Sequence, residues 1–102
     1  MIADLYLTRE ELDIVRRILS EHLPDGFRTY VFGSRATGRR LKPWSDLDLA
    51  VDGPSALSLA AAGDLAQAFD ESLLAWKVDV IDLNAVSPEF RRIVDAHKVP
   101  LP

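Results

Sequence analysis

Gly33-Ser34-Arg35-Ala36-Thr37-Gly38, followed after a short spacer by Ser45-Asp46-Leu47-Asp48-Leu49, is the stretch on which the fold turns. Just ahead of it, Phe27 to Phe32 is rich in aromatic and β-branched residues and predicts a strand. Gly33-Ser34 breaks that strand, and a short helix is expected from about Ser34 to Arg39. A Gly-Ser pair at such a junction gathers backbone N–H groups and a hydroxyl around one point. That point suits an anion, because the N–H groups have no partner and the helix dipole favours negative charge. In the second half, Asp46 to Val51 predicts a strand. Side chains alternate along it, so Asp46 and Asp48 share one face while Leu47 and Leu49 point to the core. Two carboxylates forced side by side repel unless a cation lies between them. Oxygen-only donors suit Mg²⁺, which keeps waters and accepts substrate phosphates as further ligands. A phosphate cradle beside a carboxylate pair is the layout for metal-assisted phosphoryl or nucleotidyl transfer.

The elements around this stretch are equally readable. Thr8 with Glu11 forms a capping box, and Leu12, Val15 and Leu19, flanked by Ile14 and Ile18, form an apolar stripe at helical spacing. Leu23-Pro24-Asp25-Gly26 ends that helix. Asp52-Gly53-Pro54-Ser55 is a turn, after which an alanine-rich helix is expected from Ser55 to about Ser72, with Ala61, Leu65, Ala68 and Phe69 on its buried side. Gly63 weakens it by roughly 1 kcal/mol relative to alanine. Lys77 to Leu83 alternates as a third strand, and Ser87-Pro88 opens a last helix. The order is α-β-α-β-α-β-α, an α/β (α+β) arrangement with a small mixed sheet flanked by helices. One domain over residues 1–102 is expected from the length.

Composition narrows the function. Hydrophobic residues make up 48% and charged residues 27%, ordinary for a globular chain. Cysteine is absent and only His22 and His97 are present, which excludes thiol nucleophiles, disulfides and cysteine or histidine metal cages. No apolar run approaches the roughly 20 residues of a membrane helix, and Met1-Ile2-Ala3-Asp4 lacks the features of a signal peptide. A cytoplasmic location is the expectation. Residues 1–51 carry eight basic and eight acidic side chains, residues 52–102 four and eight, so the net charge of −4 sits in the second half. Such a chain is a poor general binder of nucleic acid. The cluster Arg35, Arg39, Arg40 and Lys42 could still hold a polyphosphate, although Arg39, Arg40 and Lys42 read as well as a solvated loop.

A third carboxylate would complete the site. Asp79 and Asp82 lie on opposite faces of the third strand by parity, so only one can join. Asp79, set between valines, is the choice over Asp82 near the strand end; its bland alternative is a structural ion pair. For Asp46 and Asp48 the bland alternative is a solvated strand face. Asp52 reads as a turn residue, Trp76 as core or interface, and Trp44 as a base-stacking, partner-binding or packing residue. His22 and His97 complement helix C-termini.

With those residues in view, the chain resembles the minimal nucleotidyltransferases of the DNA-polymerase-β superfamily. Gly33-Ser34, the run 35–45, Asp46-x-Asp48 and the later Asp79 carry the likeness, which runs from about Thr8 to Pro100. The resemblance implies the nucleotidyltransferase fold, with Gly33 and Ser34 holding a nucleoside triphosphate. Arg35, beside them, is an additional candidate nucleotide ligand, its bland alternative being a cation that caps the surface. The resemblance also implies that Asp46 and Asp48 ligate divalent metal, Mg²⁺ in a two-ion site, and that Asp79 completes that site or activates the acceptor. Short stand-alone members act as antitoxins of HEPN-domain ribonuclease toxins, some by moving AMP from ATP onto a toxin tyrosine. A HEPN toxin is therefore the expected partner and acceptor, because so short a chain leaves no room for an acceptor-holding domain. Two rivals remain at this point: an antitoxin that masks its toxin without catalysis, and a small-molecule nucleotidyltransferase.

Overall fold

The computed structural model describes residues 5–102; residues 1–4, the stretch weighed for a leader, lie outside the described residues. Helix α1 (Arg9–His22) starts at the capping box, with the Thr8 hydroxyl accepting from the Glu11 N–H and the Glu11 carboxylate from the Thr8 N–H. Strand β1 (Arg28–Phe32) leads through Gly33 into the single turn α2 (Ser34–Thr37), shorter than the helix expected to Arg39 because Gly38 caps it in the left-handed region. Then come β2 (Leu47–Asp52), α3 (Leu59–Asp70), β3 (Val78–Asp82) and α4 (Pro88–His97), the last with Ser87 as N-cap and Pro88 in its first turn.

Other features differ from expectation as well: β2 begins at Leu47 rather than Asp46, which leaves Asp46 ahead of the strand. Helix α3 begins at Leu59 rather than Ser55, with Ser58 as its N-cap. The Asp82 carboxylate accepts from the Leu57 N–H at 2.6 Å, which ties down the approach to the helix. A fourth strand, β4 (Val99–Pro100), adds to the three expected.

The sheet order is β3-β2-β1-β4. β1 runs antiparallel to β2 and to β4, whereas β2 and β3 are parallel, so the sheet is mixed. α1 and α3 cover one face: Leu12, Val15, Ile18, Leu65 and Phe69 pack on Val31, Leu47, Leu49 and Val78. On the other face a smaller cluster joins Val94 of α4 to Ala50 and Leu83, with Tyr30, Phe32 and Ile81 at its margin. Among the described residues no helix is long and apolar enough to cross a membrane.

Candidate active site

The register of the strands assembles the acidic residues. Asp48 pairs with Phe32 of β1 on one side and with Asp79 of β3 on the other. Laterally paired residues share a face, so Asp48 and Asp79 stand side by side on the α4 face of the sheet. The same period sends Leu47, Leu49 and Val51 into the opposite core, each with no exposed surface. Asp46 lies one residue ahead of β2 and is exposed.

Because β1 ends beside Asp48, the Gly33 turn closes against that carboxylate. Gly33 sits at φ +73° and ψ −156°, a conformation left to glycine, and a Cβ there would overlap Asp48 Oδ2. The two halves of the motif therefore touch. The Gly33 carbonyl accepts from the N–H groups of Ala36 and Thr37, both at 3.1 Å. The preceding N–H groups, of Ser34 and Arg35, open the helical turn with no carbonyl one turn behind them.

Charge at this point is unbalanced. The Asp48 carboxyl is pushed up to about 6 from its ordinary value, first by burial, then by the negative charges of Asp79 and Asp46. Lys77 answers part of this, its Nζ 3.4 Å from Asp79 Oδ1 with both side chains well exposed. The ion pair weighed as the bland role of Asp79 thus exists, but with a solvated lysine at the rim. Sequence reading passed over Lys77, although its two-residue spacing from Asp79 along a strand was a usable signal.

Among the described residues no three His, Cys, Asp or Glu side chains are spaced to hold a metal ion by themselves. Mg²⁺ does not ask for such a cage; it binds through one or two carboxylates and completes its shell with water and phosphate oxygens. Hard oxygen donors whose mutual repulsion is incompletely neutralised, set against a glycine turn that admits a phosphate, fit that chemistry.

Arg35 departs from its expected role. It is buried, 5% exposed. Its Nε donates to the Ser45 carbonyl at 2.9 Å, Nη1 to the Tyr6 carbonyl at 2.9 Å and Nη2 to the Pro43 carbonyl at 3.2 Å. Its Cζ stacks 4.3 Å from the centroid of Trp76, which is itself core. Three of the five N–H donors of this guanidinium are committed to backbone carbonyls and one face to Trp76, so its recorded partners are the fold's own. Arg39, Arg40 and Lys42 are exposed on the following loop, as is Trp44 at 71%, with Lys42 Nζ 5.8 Å from its ring centroid. Asp52 shares the face of Asp48 but is paired with Arg91 of α4 at 2.9 Å. A hollow of about 640 Å³ lies away from these carboxylates, at the far end of β1 between Leu19, Phe27 and Leu101. A second hollow, about 240 Å³, includes Lys77 and Asp79 but runs along α3 and takes in none of Gly33, Ser34, Asp46 and Asp48.

Comparison with known proteins accords with this geometry. A family model described as a nucleotidyltransferase domain matches residues 12–100. The chain belongs to the nucleotidyltransferase family. Over 92 residues it is 42% identical to the "Probable protein adenylyltransferase MntA" of Haemophilus influenzae, covering 90% of this chain and 79% of that protein. A chain of a toxin–antitoxin crystal structure with AMP-PNP superposes with a TM-score of 0.75 at 27% identity, over 89% of this chain and 72% of that one. The structure of a tri-AMPylated Shewanella oneidensis HEPN toxin with its MNT antitoxin matches at a TM-score of 0.67 and 25% identity, over 89% and 68%.

Proposed function

We propose that this nucleotidyltransferase is an antitoxin that moves AMP from ATP, with Mg²⁺, onto a hydroxyl of a HEPN toxin, a tyrosine by resemblance. The observation that carries the reading is the closure of the Gly33 turn on Asp48, beside Asp79. It sets an anion-accepting backbone next to carboxylates that need a cation. The relative named as a protein adenylyltransferase and the AMPylated HEPN toxin held by its MNT antitoxin support the acceptor class.

In this reading Gly33 and Ser34 hold the triphosphate by backbone N–H groups, with no Cβ in the way at Gly33. Asp46 and Asp48 would hold the divalent ions, and Asp79 adds a further carboxylate. Bound there, Mg²⁺ would supply positive charge against the negative charge on the phosphoryl oxygens. The acceptor oxygen forms a bond to the α-phosphorus in line with the bond that breaks, and pyrophosphate leaves. Asp79, with its Oδ1 near Lys77 Nζ, takes the hydroxyl proton.

The test is to incubate the protein with labelled ATP, Mg²⁺ and the protein encoded next to it, then to find the label and its residue by mass spectrometry. AMP on a tyrosine of that neighbour, lost when Asp46 and Asp48 are both changed to Ala, is the expected result. Neutralisation of the neighbour that survives the double substitution would replace transfer by masking. Label on an aminoglycoside with no protein partner present would replace the protein acceptor.

A further inference from the structure

Arg35 is the one buried charged side chain among the described residues. Burying a guanidinium is costly, and a well-packed apolar side chain of similar size usually serves stability as well or better. The cost here is offset by three backbone carbonyls and a tryptophan face, not by a carboxylate salt bridge. Those carbonyls come from two places. One, of Tyr6, belongs to the segment entering α1, which returns a bond of its own from the Tyr6 N–H to the Arg35 carbonyl at 3.0 Å. The other two, of Pro43 and Ser45, belong to the loop that delivers the chain into β2.

That loop is a tight one. The Ser45 hydroxyl accepts from the Lys42 N–H at 2.8 Å, and the Ser45 N–H donates to the Lys42 carbonyl at 3.0 Å. The Ser45 carbonyl gripped by Arg35 belongs to the peptide group whose nitrogen is that of Asp46. On the other side of Asp46, the Leu47 N–H donates to the Lys77 carbonyl at 2.9 Å, where β2 meets β3. The backbone of Asp46 is thus anchored on both flanks although the residue lies outside any strand. One anchor is the sheet and the other is Arg35.

We infer that Arg35 is a positioning residue: from inside the core it straps the loop ahead of β2 and so fixes Asp46 beside Asp48, where a divalent ion would be held. The inference rests on the reading of the carboxylates given above. It assigns a function to the arginine next to Gly33-Ser34 that is separate from phosphate contact. An unstrapped loop leaves Asp46 on a chain free to swing about the Leu47 anchor, and a mobile ligand must be ordered each time an ion binds.

The test is NMR on the intact chain, with Mn²⁺ alone as the probe and Arg35→Met and Arg35→Lys as the variants. In the unaltered protein Mn²⁺ should broaden the amide resonances of Asp46, Asp48 and Asp79, and the Ser45 amide should be protected from exchange. Arg35→Met keeps bulk but removes the three bonds. It should lower the apparent Mn²⁺ affinity about tenfold, as loss of a ligand's supporting partner does, and expose the Ser45 amide to exchange. Arg35→Lys has a single ammonium that cannot span three carbonyls and should fall between the two. A merely structural arginine would lower the melting temperature while Ser45 protection and Mn²⁺ affinity in the folded variant stay unchanged, and that result overturns the proposal. Should both variants fail to fold, Pro43→Gly relaxes the strapped loop from its solvent side with Arg35 in place. It should repeat the Mn²⁺ loss in smaller measure, and an unchanged affinity there equally overturns the proposal. If Mn²⁺ leaves the three resonances of the unaltered protein sharp, the metal reading of the carboxylates fails, while Ser45 exchange still decides whether Arg35 holds the loop.

Discussion

Strand β2 has two sides that obey different rules. Toward α1 and α3 it offers Leu47, Leu49 and Val51, all fully buried, the two leucines in the larger of the two apolar clusters. Toward α4 it offers Asp48, Ala50 and Asp52, and only Ala50 belongs to a core. Even the two aspartates on that second side differ. Asp52 meets Arg91 at 2.9 Å and is answered within the fold. Asp48 meets Asp79 across the sheet and a glycine turn in front, so its repulsion is left for something outside the chain to relieve. One face supplies the stability that the other face spends. A carboxylate kept in an unfavourable place is the mark of the working side.

Asp48→Asn should break this contrast most severely. It removes the charge and keeps the shape, so nucleotidyl transfer should fall by about a thousandfold or more, the scale set by losing several kcal/mol of stabilising charge. The same substitution should make the metal-free protein more stable, by about 1–2 kcal/mol near pH 8 once solvent screening is allowed for. Transfer assays and urea melts check the two halves. A variant that is both inactive and less stable would mean that Asp48 is a structural residue.

The apolar side should answer in the opposite way. Leu49→Ala should cost about 2–5 kcal/mol of stability, as deleting a buried leucine does. Transfer per folded molecule, assayed well below the lowered melting temperature, should change little.

pH sharpens the contrast on the acidic side. Asp48 ionises near pH 6 in the folded chain and near 4 when unfolded. A carboxyl raised on folding lends its stability below the unfolded value and loses it as pH rises through the folded one. Without metal, the unaltered protein and Asp48→Asn should therefore melt together below about pH 4 and draw apart as pH rises to about 6, the variant melting higher by a constant gap beyond that. Saturating Mg²⁺ at pH 8 should narrow that gap by stabilising only the protein that keeps its charge.

What the sequence declared was local or periodic. Thr8 with Glu11, and Ser87 with Pro88, mark helix starts through bonds that span three residues. Strand parity separated Asp48 from Leu47 and allowed only one of Asp79 and Asp82 beside it, and the valines around Asp79 decided between those two. What it withheld depended on distant partners. β4 is two residues long, one of them proline, and exists because Val31 and Tyr30 lie opposite it. The helix expected from Ser55 begins only after Ser58, and ahead of it Asp82, from another element, holds the Leu57 N–H. Arg35 reads as a surface cation by residue type; its burial comes from carbonyls at Tyr6, Pro43 and Ser45 that no local pattern brings together.

The smallest expected effect lies away from both sides of β2, at Gly63 in α3. Glycine in a helix interior costs roughly 1 kcal/mol against alanine, and a close neighbour is the usual reason to keep it. No such neighbour exists here: a Cβ at Gly63 would meet nothing within 4 Å, although the residue falls within a regular helix. Gly63→Ala should therefore raise stability by about 0.5–1 kcal/mol, partly by restricting the unfolded chain. It touches neither the carboxylates nor the Arg35 strap, so transfer and Mn²⁺ affinity should stay as they were. A stabilised variant with impaired transfer would show instead that α3 must flex or present that bare backbone to a partner, and the helix would join the working side of the molecule.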